Sequence, residues 1–198
     1  MSEPRVVVLR LGHRPVRDER VSTHLALVAR AFGASEVIFP GEKDAAICRK
    51  VEDVVARFGG NFKISFGGNW RDIMRDWTSK GGLIVHLTMY GVPLPEVIEE
   101  IRSRGRDVMV VVGGAKVPRE VYQIAHYNVS ITNQPHSEIA ALAVFLHYWM
   151  KGREFYLEFP NAKIKIIPSP SGKKVVLVKD GESAVPEGVL EEDEPEEV

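Results

Sequence analysis

Arg14, Arg17 and Arg20 recur at every third position in GHRPVRDERVST, residues 12–23, with His13, Asp18 and Glu19 among them. A guanidinium keeps its charge at any ordinary pH and matches phosphate oxygens with two parallel hydrogen bonds. The spacing therefore fits contacts to a phosphate-bearing partner. It fits equally a solvated loop whose arginines pair with Asp18 and Glu19. Three other stretches put small and polar residues straight after apolar runs: Leu87, Thr88 and Gly91; Val112, Gly113, Gly114, Ala115 and Lys116; and Ile131, Thr132, Asn133, Gln134, Pro135 and His136, followed by Ser137 and Glu138. Turns of this kind offer backbone N–H and C=O groups in an apolar frame, which is how ligand clefts are built.

The elements that position these residues follow from their patterning. Arg5 to Leu11 is a continuous apolar run of strand length, as expected of a strand buried on both faces. Ser22 or Thr23 can cap a helix carrying Leu25, Leu27, Val28, Ala31 and Phe32, with Gly33 as its stop. Strands are expected at 35–39, 61–65, 82–87, 108–112 and 127–131, alternating with helices at 44–58, 69–79, from Pro93, at 118–125 and from Ser137 to about Met150. This βα order predicts an α/β fold with a parallel sheet, and the four polar turns then share the sheet's carboxyl edge. Strands at 155–158, 162–167 and 173–178 lack intervening helices and read as a small antiparallel β appendage.

Several chemistries are excluded. No GxxxxGK[ST] run exists, and no GxGxxG follows the first strand. Six scattered histidines and the single Cys48 offer no metal-ligand spacing, so no metal is expected. Ser137 beside His136 imitates a nucleophile with its base, yet neighbours at a helix start rarely meet, and capping by Ser137 is the stronger account. His86 lies inside an apolar strand and reads as a structural histidine. Trp70 and Trp77, seven apart on one helix, read as packing or interface residues. Without a cluster of cations at the three turns, an uncharged-base, non-phosphorylated ligand of adenosyl type fits better than a nucleoside triphosphate.

Charge is unevenly placed. The chain of 198 residues holds 26 Lys and Arg against 27 Asp and Glu. Residues 181–198 contain eight of those acids and no basic residue, which leaves the rest of the chain at about +7. A basic body admits a polyanionic partner, while the acidic end reads as a disordered tail. No apolar run reaches membrane-spanning length, and no basic segment precedes a long apolar one at the start, so no membrane association and a cytoplasmic location are expected.

RLGHRPVRDERVSTHLALVARAFGA (10–34), VHLTMYG (85–91), VVGGAKVPREVY (111–122) and NVSITNQPHSEIAALAVFL (128–146), in that order, resemble the archaeal tRNA (cytidine(56)-2'-O)-methyltransferase family of the SPOUT class. The resemblance runs to about residue 180. It implies a SPOUT-type parallel sheet with a C-terminal deep trefoil knot, in a methyltransferase domain at 1–152 with a C-terminal β extension at 153–180. It further implies S-adenosylmethionine as cofactor, bound by Leu87, Thr88, Gly91, Val112–Lys116 and Ile131–Glu138, and tRNA as substrate for a homodimer. The arginine loop of one subunit would lie near the cofactor of the other. Related enzymes carry a key arginine in the helix after the first strand, where Arg30 here has a different spacing from Gly33. Arg17 and Arg20 are expected to orient phosphate and ribose instead, with Arg14 and His13 behind them. A non-catalytic tRNA-binding protein and a SPOUT base methyltransferase are the competing readings.

Overall fold

The structure is a computed structural model that describes residues 3–114 and 116–178. Ala115 and the acidic tail from 181 lie outside the described residues. In chain order the elements are β1 (Val6–Leu11), α1 (Glu19–Ala31), β2 (Glu36–Phe39), α2 (Ala45–Phe58), β3 (Lys63–Phe66), α3 (Trp70–Ser79), β4 (Leu83–Pro93), α4 (Leu94–Ser103), β5 (Val108–Gly113), α5 (Arg119–Ile124), β6 (Tyr127–Ser130) and α6 (Glu138–Met150). The six strands form one sheet in the order β3-β2-β1-β5-β4-β6, and every pairing is parallel.

Side chains on a strand alternate between faces, so a strand covered on both sides must be apolar throughout. Val6 and Val8 pack with Leu25, Ala29, Ile98 and Phe145 on one face, under α1, α2, α4 and α6. Val7, Leu9 and Leu11 pack with Met74, Trp77 and Val121 on the other, under α3 and α5. Val7, Val8 and Leu9 are fully buried, which explains the unbroken apolar run. Trp77 is a packing residue, its indole Nε1 donating to the Leu83 carbonyl at 2.9 Å. His86 is fully buried, with Nδ1 2.9 Å from Asn128 Oδ1 and its ring edge-on to Tyr122 at 4.6 Å. Burial pushes its pKa below the ordinary value, against the bond to Asn128.

Two expectations are corrected. The first helix starts at Glu19 with Asp18 at its cap position, ahead of Ser22 and Thr23, which are buried within it. Phe155 to Glu158 does not form a strand: Lys151 and Gly152 take φ of 55° and 81°, and a 3-10 turn follows at Arg153–Tyr156. Left-handed residues end α6 and redirect the chain, so no extended partner is at hand for Phe155. Residues 52–61 and 158–178 make a second compact unit. It contains the antiparallel hairpin β7 (Ile164–Ile166) and β8 (Val175–Leu177), with Ile164 opposite Leu177. There the Lys163 amide donates to the Arg57 carbonyl at 2.9 Å, and the Gly60 amide to Pro160 at 2.7 Å.

The strand pair β4–β6 carries the irregularity that matters for function. Leu87 and Val92 both pair with Val129, so residues 88–91 are extruded from the ladder. Gly91 makes this possible, because a Cβ there would lie 2.5 Å from the Val129 nitrogen and 2.6 Å from the Asn128 carbonyl carbon. Backbone cannot yield as a flexible side chain does. Gly91→Ala is therefore expected to cost roughly 1–3 kcal/mol, several degrees in thermal midpoint by calorimetry for a chain of this size. An unchanged midpoint would contradict this account of the close approach.

Candidate active site at the carboxyl edge of the sheet

Because all strands run the same way, the segments after β1, β4, β5 and β6 leave from one edge. The first turn is tied to its surroundings from two sides. Thr88 Oγ1 lies 3.1 Å from the Tyr122 hydroxyl of α5, and Asn133 Nδ2 donates to the carbonyls of Met89 at 2.7 Å and Gly91 at 3.1 Å. Asn128 Nδ2 donates to the Tyr122 carbonyl at 2.9 Å. One hydrogen-bonded set thus joins β4, α5, β6 and the segment after β6.

In the second turn Val112 is buried, while Gly113 lies so near Val117 that an added Cβ would come within 2.5 Å of its Cγ2. Gly114 faces open space, and Lys116 is exposed. The third turn, Thr132 to Ser137, is exposed throughout. None of its backbone amides donates a hydrogen bond among the described residues. Ser137 caps α6, its Oγ accepting from the Ile139 amide at 3.2 Å. A hollow of about 120 Å³ lies beside this turn, between Pro93, Leu94, Ser130, Ile131, Asn133 and Tyr148. It shares residues 131–133 with the third turn and none with the second.

The arginine loop divides its side chains between two jobs. Arg14 is clamped to Asp18: its backbone amide and Nε reach Oδ2 at 3.0 and 2.9 Å, and Nη2 reaches Oδ1 at 2.9 Å. Those bonds hold the Asp18 carboxyl down to about 2, outweighing its burial. Glu19 pairs not with an arginine of the loop but with Lys50 at 2.7 Å. Arg17 and Arg20 are exposed and form no ion pair among the described residues. The loop that carries Arg17 is shaped by Val16 at φ 68° and by the Arg17 amide donating to the Pro15 carbonyl at 2.8 Å, while Arg20 stands in the first turn of α1.

His13 departs from its expected place. Its side chain is 3% exposed, with Nδ1 2.9 Å from Ser22 Oγ and Nε2 3.2 Å from Asp44 Oδ2. Both ring nitrogens are taken, because the loop turns inward at Gly12, and the imidazole pins the loop to α1 and to the cap of α2. Asp44 also accepts from the amides of Ala46 at 2.9 Å and Ile47 at 3.2 Å. Burial opposes its charge, but those amides and His13 outweigh that and hold its pKa below the ordinary value. Arg30 is buried in α1, its pKa lowered by desolvation, and presents no guanidinium at the edge.

Glu138 is also differently employed. Its Oε1 meets Arg10 Nη2 at 2.8 Å, and Arg10 is 3% exposed. The periodicity reading passed over Arg10 as part of an apolar strand. A single arginine amid buried valines signals a buried acidic partner, and Glu138 after a cap serine is a natural one. Tyr122 and Asn128 were missed too, since nothing in their spacing announces that they brace a turn.

The carboxyl edge thus presents the unpaired backbone donors of the third turn, and the exposed guanidinium groups belong to Arg17 after β1 and Arg20 in the first turn of α1. That donor set fits an adenosyl cofactor, whose base and amino-acid groups take backbone hydrogen bonds. Among the described residues no three His, Cys, Asp or Glu side chains gather as a metal site, and no helix is long and apolar enough to cross a membrane.

Comparison with known proteins agrees with this geometry. Residues 58–176 match the family described as tRNA ribose 2'-O-methyltransferase, aTrm56. A tRNA (cytidine(56)-2'-O)-methyltransferase of Methanothermobacter thermautotrophicus is 51% identical over 177 residues, 89% of this chain and 99% of that protein. One from Pyrococcus horikoshii is 55% identical over 177 residues, 88% and 86% of the two chains. Among solved structures, the SpoU methyltransferase AviRb of Streptomyces viridochromogenes, in complex with AdoMet, superposes with a TM-score of 0.57 at 14% identity, covering 77% of this chain and 59% of that one. That last likeness is one of fold.

The Arg14–Asp18 clamp has a definite pH signature. A carboxyl whose pKa falls from 3.8 to about 2 on folding stabilises the fold fully above its unfolded value, and that contribution disappears as pH drops through the folded one. Asp18→Asn should lower the thermal midpoint above about pH 4, with the difference from the parent closing as pH approaches 2. A pH-independent difference would rule the clamp out as its source.

Proposed function

This chain belongs to the tRNA ribose 2'-O-methyltransferase family, and from that premise we propose that it methylates the ribose 2'-oxygen of cytidine 56 in the T-loop of tRNA, using S-adenosylmethionine. The observation that carries this reading is the tie made by Asn133 between the turns after β4 and β6 at one sheet edge, with Arg17 on the loop after β1 and Arg20 in the first turn of α1 forming no ion pair among the described residues.

S-adenosylmethionine supplies a methyl group on a sulfonium, open to in-line attack by an oxygen. The protein's share is to hold and orient. Exposed amides of residues 132–134, 136 and 137, Gly114 and the apolar side chains Leu87, Val112 and Ile131 receive the cofactor in this reading. Thr88, Gly91, Gly113, Lys116 and the side chains of Gln134, Pro135 and His136 frame the same space, and Ala115 belongs with them by its place in the second turn. Fixing two reactants in line is worth about 7–11 kcal/mol of barrier. Arg17 and Arg20 bind the phosphates flanking the target ribose and help to polarise its hydroxyl. A guanidinium does not act as a base, so the hydroxyl proton passes to an oxygen, such as that of a bound phosphate. Arg14 and His13 act behind them by shaping the loop.

We further read the chain after β4 as a deep trefoil knot. Supporting this are the placing of β6 beside β4 after β5, and the reach of Asn133 back to Met89 and Gly91. The methyltransferase domain is then 1–152, followed by an extension at 153–180 whose hairpin takes part in a homodimer contact. Val21, Val144 and Tyr148, exposed apolar side chains on α1 and α6, support the dimer. In it, the arginine loop of one subunit serves the cofactor of the other. The location is the cytoplasm, where tRNA is modified.

Incubation with labelled S-adenosylmethionine and unmodified tRNA should yield 2'-O-methylcytidine on nucleoside analysis, and none from tRNA carrying a 2'-deoxycytidine at position 56. Label in a base, or none at all, would sink the proposal. Arg17→Ala and Arg20→Ala should each lower kcat/KM on the order of 100-fold while calorimetric cofactor affinity stays within about twofold. Equal losses in both would refute the division of labour.

A further inference from the structure

Arg10 takes no part in the roles assigned so far, yet it is buried within β1, on the face of the sheet covered by α1 and α6. It is the penultimate residue of β1, in register with Val112 of β5, at the foot of the second turn. Its guanidinium has two partners: Glu138 Oε1 at 2.8 Å from Nη2, and the Leu11 carbonyl, to which Nη1 donates. Its Nε is buried with no hydrogen-bond partner. Glu138 follows Ser137 directly and is 17% exposed at its side chain. The carboxylate is well placed at the amino end of α6, where the helix dipole favours negative charge. Arg10 also lies in the fields of Asp18 and Arg14, the clamped pair of the arginine loop.

Such a pair is a poor device for stability alone. Removing two charges from water costs much of what their attraction returns, and apolar residues of similar volume often hold a core as well or better. What an ion pair adds is geometry, because a guanidinium accepts its carboxylate in few orientations. Here the two ends sit on the last turn of β1 and the first residue of α6. The exposed residues 132–137, whose backbone N–H groups find no partner among the described residues, hang between that anchor and β6.

We propose that Arg10 is a positioning residue: through its buried pair with Glu138 it fixes residues 131–137 against the ends of β1 and β5, so that the cofactor turn is formed before ligand arrives. Glu138 on this account serves the cofactor through Arg10 and not by touching it. The inference rests on the reading of these turns as the S-adenosylmethionine site.

The test uses the full chain and the double variant Arg10→Met, Glu138→Leu, which removes both charges and leaves no unpaired one, alongside the single variants. Three readouts apply: hydrogen exchange of the apo-protein, calorimetric titration with S-adenosylmethionine, and steady-state kinetics on tRNA. The double variant should keep a thermal midpoint near the parent's, while the Ile139 and Ala141 amides, which are bonded to Ser137, exchange about tenfold faster and those of β4 do not change. Cofactor affinity should fall about tenfold and kcat more than tenfold, with KM for tRNA within about threefold, as for a misplaced site. A double variant that folds, exchanges and binds like the parent overturns the inference alone. A parent that fails to bind S-adenosylmethionine overturns the inference together with the reading beneath it. Should the single variants misfold through an uncompensated buried charge, the double variant still decides.

Discussion

The site depends first on the all-parallel pairing of the sheet. When six strands point one way, every segment that follows a strand must leave from the same edge, and the chain concentrates its turns there without any long-range signal. Both faces are then covered by helices, and the strands have to be apolar on both sides. Polar groups that serve a ligand are thereby confined to the strand ends, and any polar group placed deeper must bring its own partner. Arg10 with Glu138 and His86 with Asn128 are two places, among the described residues, where this chain meets that condition.

Around that edge the protein separates stiffness from availability. Asp18 and Asp44 are each committed to several donors, and through Arg14 and His13 they hold the loop after β1 in one shape. Arg17 on the same loop and Arg20 in the first turn of α1 form no ion pair among the described residues. Cations on a shaped loop lose less conformational freedom on meeting a polyanion than cations on a slack one, so rigidity nearby is part of their affinity. The third turn follows the same logic with backbone groups, its amides unpaired and its two ends secured by Asn133 and by the cap at Ser137.

Much of this was legible beforehand. Apolar runs and Gly or Pro stops located five of the six parallel strands within about two residues, while β4 runs on past the expected 87 to Pro93, and Asn69, Pro93 and Ser137 marked the helix starts they occupy. Where the reading went astray, local pattern had no access to tertiary pairing. Asp18 displaced Ser22 as the start of α1 once Arg14 folded back on it. The partners of His13, Ser22 and Asp44, are 9 and 31 residues away and leave no local trace. Phe155 to Glu158 has strand-like residues, but Lys151 and Gly152 turn the chain before any partner strand is reached. Tyr122, Asn128 and Arg10 hold the edge together and share no sequence signature, since each is defined by what it touches.

The amide of Asn133, spread between two carbonyls of the first turn 42 and 44 residues earlier, also says something about the order of assembly. That contact exists only when β4, β5 and β6 are already side by side, and parallel strands joined through helices are slow to meet. On the proposed reading the turns therefore meet late in folding, once β6 has joined β4. A truncated or still-growing chain can hold β1 to β3 with α1 and α2 and yet possess no cofactor site. Competence for catalysis then arrives with completion of the sheet, in one step.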